Sequence, residues 1–146
     1  MMSSIRALRA SAWTLFIMGI LHLLGHLTGV RSFTNPPDEP TRVLARTMMG
    51  YTVNDFPIDR SMASLYWGFS LFFSAASMLI GALILLCVSA LKDRPQALRA
   101  VVRAYVAGLL VTAAISMNYF VWPPTVCLLV AFGFGALAML GLRKTA

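Results

Sequence analysis

Four stretches of the chain contain no Lys, Arg, Asp or Glu: residues 12–30, 65–91, 104–120 and 126–142, and all the charge lies between or outside them. Their lengths are 19, 27, 17 and 17 residues. At ~1.5 Å rise per residue, a helix of this size crosses a hydrocarbon core of ~30 Å. The pattern predicts an all-α membrane protein, a four-transmembrane-helix bundle forming a single integral membrane domain over residues 1–146. The second run, with Tyr66 and Trp67 at its start, carries the amphipathic aromatics expected at a membrane interface. The third and fourth are separated by Val121-Trp122-Pro123-Pro124-Thr125. A Pro-Pro pair does not continue a helix, so this segment is expected as a tight reversal between antiparallel neighbours. A basic start followed by an apolar run is also a signal-peptide pattern, but the run is long and no A-x-A site precedes Arg31, which favours a retained span.

The one long connection, residues 31–64, is expected to contain a short amphipathic helix. Thr41 is a plausible N-cap after Pro36-Pro37-Asp38-Glu39-Pro40, and Gly50 a plausible stop. Val43, Leu44, Thr47 and Met48 would share one side, suited to a membrane surface or to the top of the bundle.

Small residues mark the expected helix interfaces, because lipid tails are as apolar as Leu and membrane helices associate through close packing and hydrogen bonds. The third run gives Ala104, Gly108, Thr112 and Ser116; the second gives Ser70, Ser74, Ser77 and Gly81; the fourth gives Ala131, Gly135 and Ala138. The first gives Gly19, His22, His26 and Gly29, which sets both histidines of the chain into an inward stripe.

Composition agrees with the pattern and changes the meaning of the charge. The chain is 59% hydrophobic and 12% charged, about half the charge of a soluble domain, yet its net charge is +7. With the N-terminus inside, Arg6, Arg9, Lys92, Arg94, Arg99, Arg103, Arg143 and Lys144 face the cytoplasm, and Arg31, Arg42, Arg46 and Arg60 lie outside. Eight against four satisfies the positive-inside rule and places both termini in the cytoplasm. Asp93 is the one cytoplasmic acid; Asp38, Glu39, Asp55 and Asp59 neutralise the outer side, so the excess charge is a topology signal and not one of nucleic acid. Membrane lipids are the expected partners.

Candidate chemistry centres on His22 and His26, roughly 12 Å and 6 Å below the outer end of the first span. Ser70, Ser74, Ser116 and Asn118 are expected at a similar depth, with Tyr66 and Tyr119 nearer the interface. Polar groups at that depth default to function, although imidazoles also join helices by hydrogen bonds alone. Metal is possible but not favoured: Leu23 stands where the H-E-x-x-H pattern needs Glu, and a third ligand would have to come from Asp55 or Asp59. Haem is not favoured either, since residues one turn apart cannot occupy opposite faces of one iron, so a bis-His site needs a homodimer. The preferred reading is a pocket for a lipid-like, isoprenoid or other hydrophobic ligand. His22 or His26 would exchange a proton, and Asn118, Tyr66 or Tyr119 would orient polar atoms. Arg60 close to the interface is suited to a lipid phosphate. The rival reading is an accessory or scaffold subunit, with structural histidines and small-residue faces against a membrane-protein partner or a second copy. Cys87 and Cys127 are expected near opposite ends of their spans as unpaired apolar thiols.

His22-Leu-Leu-Gly-His26, Tyr51-Thr-Val-Asn-Asp-Phe-Pro57, Asp59-Arg60-Ser61, Tyr66-Trp-Gly-Phe-Ser-Leu71 and Val121-Trp-Pro-Pro124 occur in this order along nearly the whole chain. In this the chain resembles an uncharacterised family of small bacterial inner-membrane proteins with four predicted transmembrane helices. The resemblance implies that topology and a bacterial inner membrane, and no particular activity.

Overall fold

The structure, a computed structural model, describes residues 2–53, 59–119 and 122–143, with only the backbone of Arg143. Asp55 of the loop, Phe120 and Val121 of the expected turn, and Lys144 lie outside the described residues. The described chain is almost wholly helical: α1 (Met2–Thr34), α2 (Glu39–Gly50), α3 (Met62–Leu91), α4 (Pro95–Tyr119) and α5 (Trp122–Arg143). Of these, α1, α3, α4 and α5 are long and apolar enough to cross a membrane, so by length and composition this is a multi-pass membrane protein with an all-α fold.

The helices outrun the apolar stretches that predict them. α1 begins ten residues before residue 12 and keeps Arg6 and Arg9 on its exposed side, while Ser4, Leu8, Ser11 and Ala12 are buried. Charge ends an apolar run without ending a helix, since a long basic side chain on the outer face carries its head toward water. α5 starts at Trp122, so Pro123 and Pro124 sit in its first turn and not in a reversal. The N–H groups there have no intrahelical acceptor, and proline lacks only what that position does not use.

Two compact units make up the chain, one from Met1–Gly19 with Ala76–Ala146, the other from Ile20–Ala75. In the first, α4 and α5 run antiparallel: Ser116 and Thr125 share a hydrogen bond of 2.7 Å, and Gly135 faces Val106 and Leu109. Ser11 on α1, fully buried, donates to the Ala131 carbonyl at 2.6 Å. Its proton is thereby spent, so the hydroxyl of Tyr105, 2.9 Å away, must be the donor in the second bond. Gly81 on α3 meets α1 so closely that a Cβ there would stand 2.7 Å from the Ala12 carbonyl oxygen. Cys87 and Cys127 are half-buried free thiols in this unit.

The α4 seam is a correction to the small-residue expectation. Ala104, Gly108 and Thr112 are exposed, and only Ser116 of that stripe is buried. α4 instead buries Val102, Tyr105, Val106, Leu109 and Ala113. Because α5 supplies the small surface at Ala131, Gly135 and Ala138, its partner can bring larger side chains into the space a missing Cβ leaves.

The second unit holds the end of α1, α2, a two-residue antiparallel ladder and the start of α3. The ladder, β1 (Thr52–Val53) with β2 (Arg60–Ser61), pairs Thr52 with Ser61 and Val53 with Arg60. Met62 N–H also donates to the Tyr51 carbonyl at 2.9 Å, so the chain enters α3 on a fixed path. α2 begins earlier than expected. Its N-cap is Asp38, whose carboxylate accepts the Thr41 backbone N–H at 2.8 Å, with Pro40 in the first turn. Thr41 is therefore the capped residue and not the cap, a three-residue shift toward the stronger acceptor. Gly50 ends α2 without a positive φ. Only Ala45 is buried on α2; Val43 and Leu44 stay exposed, an apolar face left open.

Candidate functional site

The Ile20–Ala75 unit contains both histidines. Along the stripe expected to face inward, His22, His26 and Gly29 are half-buried. On α3 the partner stripe deepens from half-buried Ser70 to buried Ser74. His22 Nε2 and the Ser70 hydroxyl share a hydrogen bond of 3.2 Å. Phe73 meets the same imidazole edge-to-face, with ring centroids 4.8 Å apart at 70°. Between a hydroxyl on one side and an aromatic ring on the other, His22 is held in one orientation. If Ser70 donates, Nε2 is the acceptor and the ring proton sits on Nδ1.

His26 differs, for among the described residues it makes no hydrogen bond. Both imidazoles line a cavity of about 160 Å³. α1 contributes His22, Gly25, His26, Gly29 and Val30 to its wall, and α3 contributes Tyr66, Trp67 and Ser70. Gly25 and Gly29 make the space: a Cβ at either would touch nothing within 4 Å. Trp67, Gly25 and Val30 line the cavity although the sequence reading singles out none of them for it; Trp67 reads there as an interface residue beside Tyr66. Its signal was present, since Trp67, Ser70 and Ser74 continue one face at spacings of three and four. Its indole nitrogen is buried with no hydrogen-bond partner among the described residues, and its ring stands edge-on to Phe33 at 6.1 Å.

The remaining expected site residues divide. Tyr66 joins the cavity wall, with half of its surface exposed. Ser74 donates back to the Ser70 carbonyl at 3.1 Å, a bond within its own helix. Asn118 and Tyr119 belong to the other unit; Asn118 donates to the Ala114 carbonyl one turn earlier, and Tyr119 is 83% exposed. Such back-bonding satisfies a polar side chain on an apolar helix without an outside partner. Arg60 lines a separate apolar groove on α3. No group of three or more His, Cys, Asp and Glu comes together among the described residues.

The chemistry this arrangement offers is limited and definite. One imidazole is oriented by Ser70, a second one turn away keeps its hydrogen-bonding capacity, and both border a small cavity whose walls are otherwise largely apolar. A neutral imidazole can donate and accept a proton at once, through its two nitrogens.

The chain matches no protein-family model, no curated protein and no solved structure. What stands of the resemblance is its coarse part, four apolar helices consistent with a small membrane protein.

Proposed function

We propose that the cavity between α1 and α3 binds the polar end of a lipid-like or other hydrophobic ligand, with His22 as the positioned hydrogen-bonding group and His26 as the free one. The observation that carries this reading is the contrast between the two imidazoles: His22 is engaged by Ser70, and His26 lines the same cavity without a hydrogen bond among the described residues. Size narrows the ligand. A pocket that buries a whole drug-sized molecule measures ~300–1,000 Å³, and this one measures about 160 Å³. A head group of a few polar atoms fits, with the apolar remainder outside in the bilayer. Whether the bound group is only held or also reacts depends on proton exchange at His26, for which a neutral imidazole is suited.

The surrounding topology in this reading is that of a bacterial inner-membrane protein with both termini cytoplasmic and the histidine end of α1 toward the outer leaflet. It is supported by the eight-to-four distribution of Lys and Arg across the loops. The test is a lipid extract of the detergent-purified protein read by mass spectrometry. Wild type is expected to carry one amphiphilic species in stoichiometric amount, and His26→Ala to lose it while keeping its helical circular dichroism. An empty wild-type extract, or full retention in His22→Ala with His26→Ala, would sink the proposal.

A second reading, an accessory or scaffold subunit, draws support from the exposed face of α4. Ala104, Gly108 and Thr112 are exposed among the described residues, and a Cβ at Gly108 would meet open space. Such a face lets a helix of a membrane-protein partner, or of a second copy, approach closely. A stoichiometric protein partner lost on Gly108→Leu would favour it.

A further inference from the structure

A second concave surface lies on α3, and it has a different character. Its volume is about 500 Å³, and it is lined by Arg60, Ser64, Leu65, Gly68, Phe69 and Phe72. At ~100° per residue, the helical members of this set centre on the side of α3 opposite Tyr66, Trp67 and Ser70, so the groove and the histidine cavity occupy opposite faces of one helix. The groove is therefore independent of the histidine cavity and of what that cavity binds.

The groove has an apolar length and a cationic end. Gly68 forms its floor, since a Cβ there would meet nothing within 4 Å, and Phe69 and Phe72 stand up beside it, 73% and 70% exposed. From Ser64 to Phe72 the helix rises about 12 Å, most of the ~15 Å half-thickness of a hydrocarbon core. Arg60 closes the polar end. Its backbone is fixed by the ladder to Val53, its side chain is exposed, and the neighbouring Asp59 makes no ion pair with it among the described residues. A guanidinium with no ion pair among the described residues, at the start of a helix long and apolar enough to cross a membrane, is suited to the head-group layer, where phosphate is its best-matched anion, taken through two parallel N–H···O bonds.

We infer that this groove is a binding site for a phospholipid, its phosphate on Arg60 and one acyl chain along Gly68 between Phe69 and Phe72. The charge selects the head group and the notch at Gly68 selects a chain. A phosphate-free glycolipid would fill the notch and leave the guanidinium unmatched. Arg31, exposed near the end of α1 and not part of this groove's lining, serves as the control.

The experiment is native mass spectrometry of the full chain, delipidated in detergent and titrated with phosphatidylglycerol or with a diglucosyl diacylglycerol of the same chains. Wild type is expected to retain phosphatidylglycerol at least about tenfold more strongly than the glycolipid, the factor that ~1.4 kcal/mol of charge-assisted bonding supplies. Arg60→Gln removes that preference, Gly68→Leu weakens both lipids, and Arg31→Gln changes neither. Equal retention of the two lipids by wild type, or an undiminished preference in Arg60→Gln, overturns the inference and leaves ordinary lipid contact. Since equal retention by wild type alone overturns the inference, it stays open to refutation even if a variant fails to fold.

Discussion

The two compact units use the same materials, apolar helices with Gly and Ser, to opposite ends. In the unit of Met1–Gly19 with Ala76–Ala146, the small residues on the inner seams are consumed by packing, while the exposed Gly108 and Gly133 receive nothing: Gly81 receives the Ala12 carbonyl, Gly135 receives Val106, and Ser11 ties its helix to Ala131 and Tyr105. In the Ile20–Ala75 unit, Gly25, Gly29 and Gly68 receive nothing, and the space they leave becomes the histidine cavity and the Arg60 groove. A glycine in a membrane helix is thus not evidence of an interface until what approaches it is known. Where backbone or side chain approaches, the residue is structural; where nothing does, the vacancy is available to a ligand.

Substitutions at these glycines and serines can break that comparison. The largest effect is expected at Gly81→Leu, which must push α1 away from α3 and should cost roughly 1–3 kcal/mol or more, read as a lowered unfolding midpoint in detergent. Gly25→Leu is its counterpart and should leave the midpoint unchanged or raise it slightly, since Gly is the poorer helix former by about 1 kcal/mol. Equal destabilisation by the two would erase the distinction between the units. Ser11→Ala should come next, at about 1–2 kcal/mol, because it removes two interhelical bonds and leaves the Tyr105 hydroxyl without its acceptor. For Ser70→Ala, with one half-buried bond to His22, the loss should stay below about 1 kcal/mol, and the change should appear instead in the imidazole ¹⁵N signals.

The smallest effect belongs to Asp38. The Thr41 hydroxyl and then its backbone N–H hold this carboxyl below the ordinary carboxylate range. A lowered native value means the cap favours α2 above that range and is lost as pH falls through the native midpoint beneath it. Acidification should therefore fray the start of α2 while leaving α3 to α5 untouched, visible as a loss of protection of the Thr41 amide relative to its intrinsic exchange rate. Asp38→Asn should make that protection insensitive to acid.

Much of this was legible in the sequence, and what was not has physical causes. Charge-free runs located all four long helices, because length and apolarity suffice for a membrane span. They misplaced the ends, since Arg6 and Arg9 ride on the exposed side of a helix that continues beneath them, and Pro123 with Pro124 fits a first turn. Depth along the spans set Ser70 among the residues expected near the histidines, and of these it is the one that shares a hydrogen bond with His22. Spacing misled on α4, where small residues at regular intervals face outward: spacing defines a face but not its neighbour. Asn118 illustrates a further limit, because depth along a span says nothing of whether a side chain turns to its own backbone.

If the vacancy beside His22 and His26 is a binding site, an experimental density map of the protein, purified without lipid exchange, should reveal its occupant. Density for a polar head group is expected within hydrogen-bonding distance of His26, running out past Tyr66, in wild type and not in Gly25→Leu. A cavity closed by its own side chains, or the same density in both proteins, would contradict it.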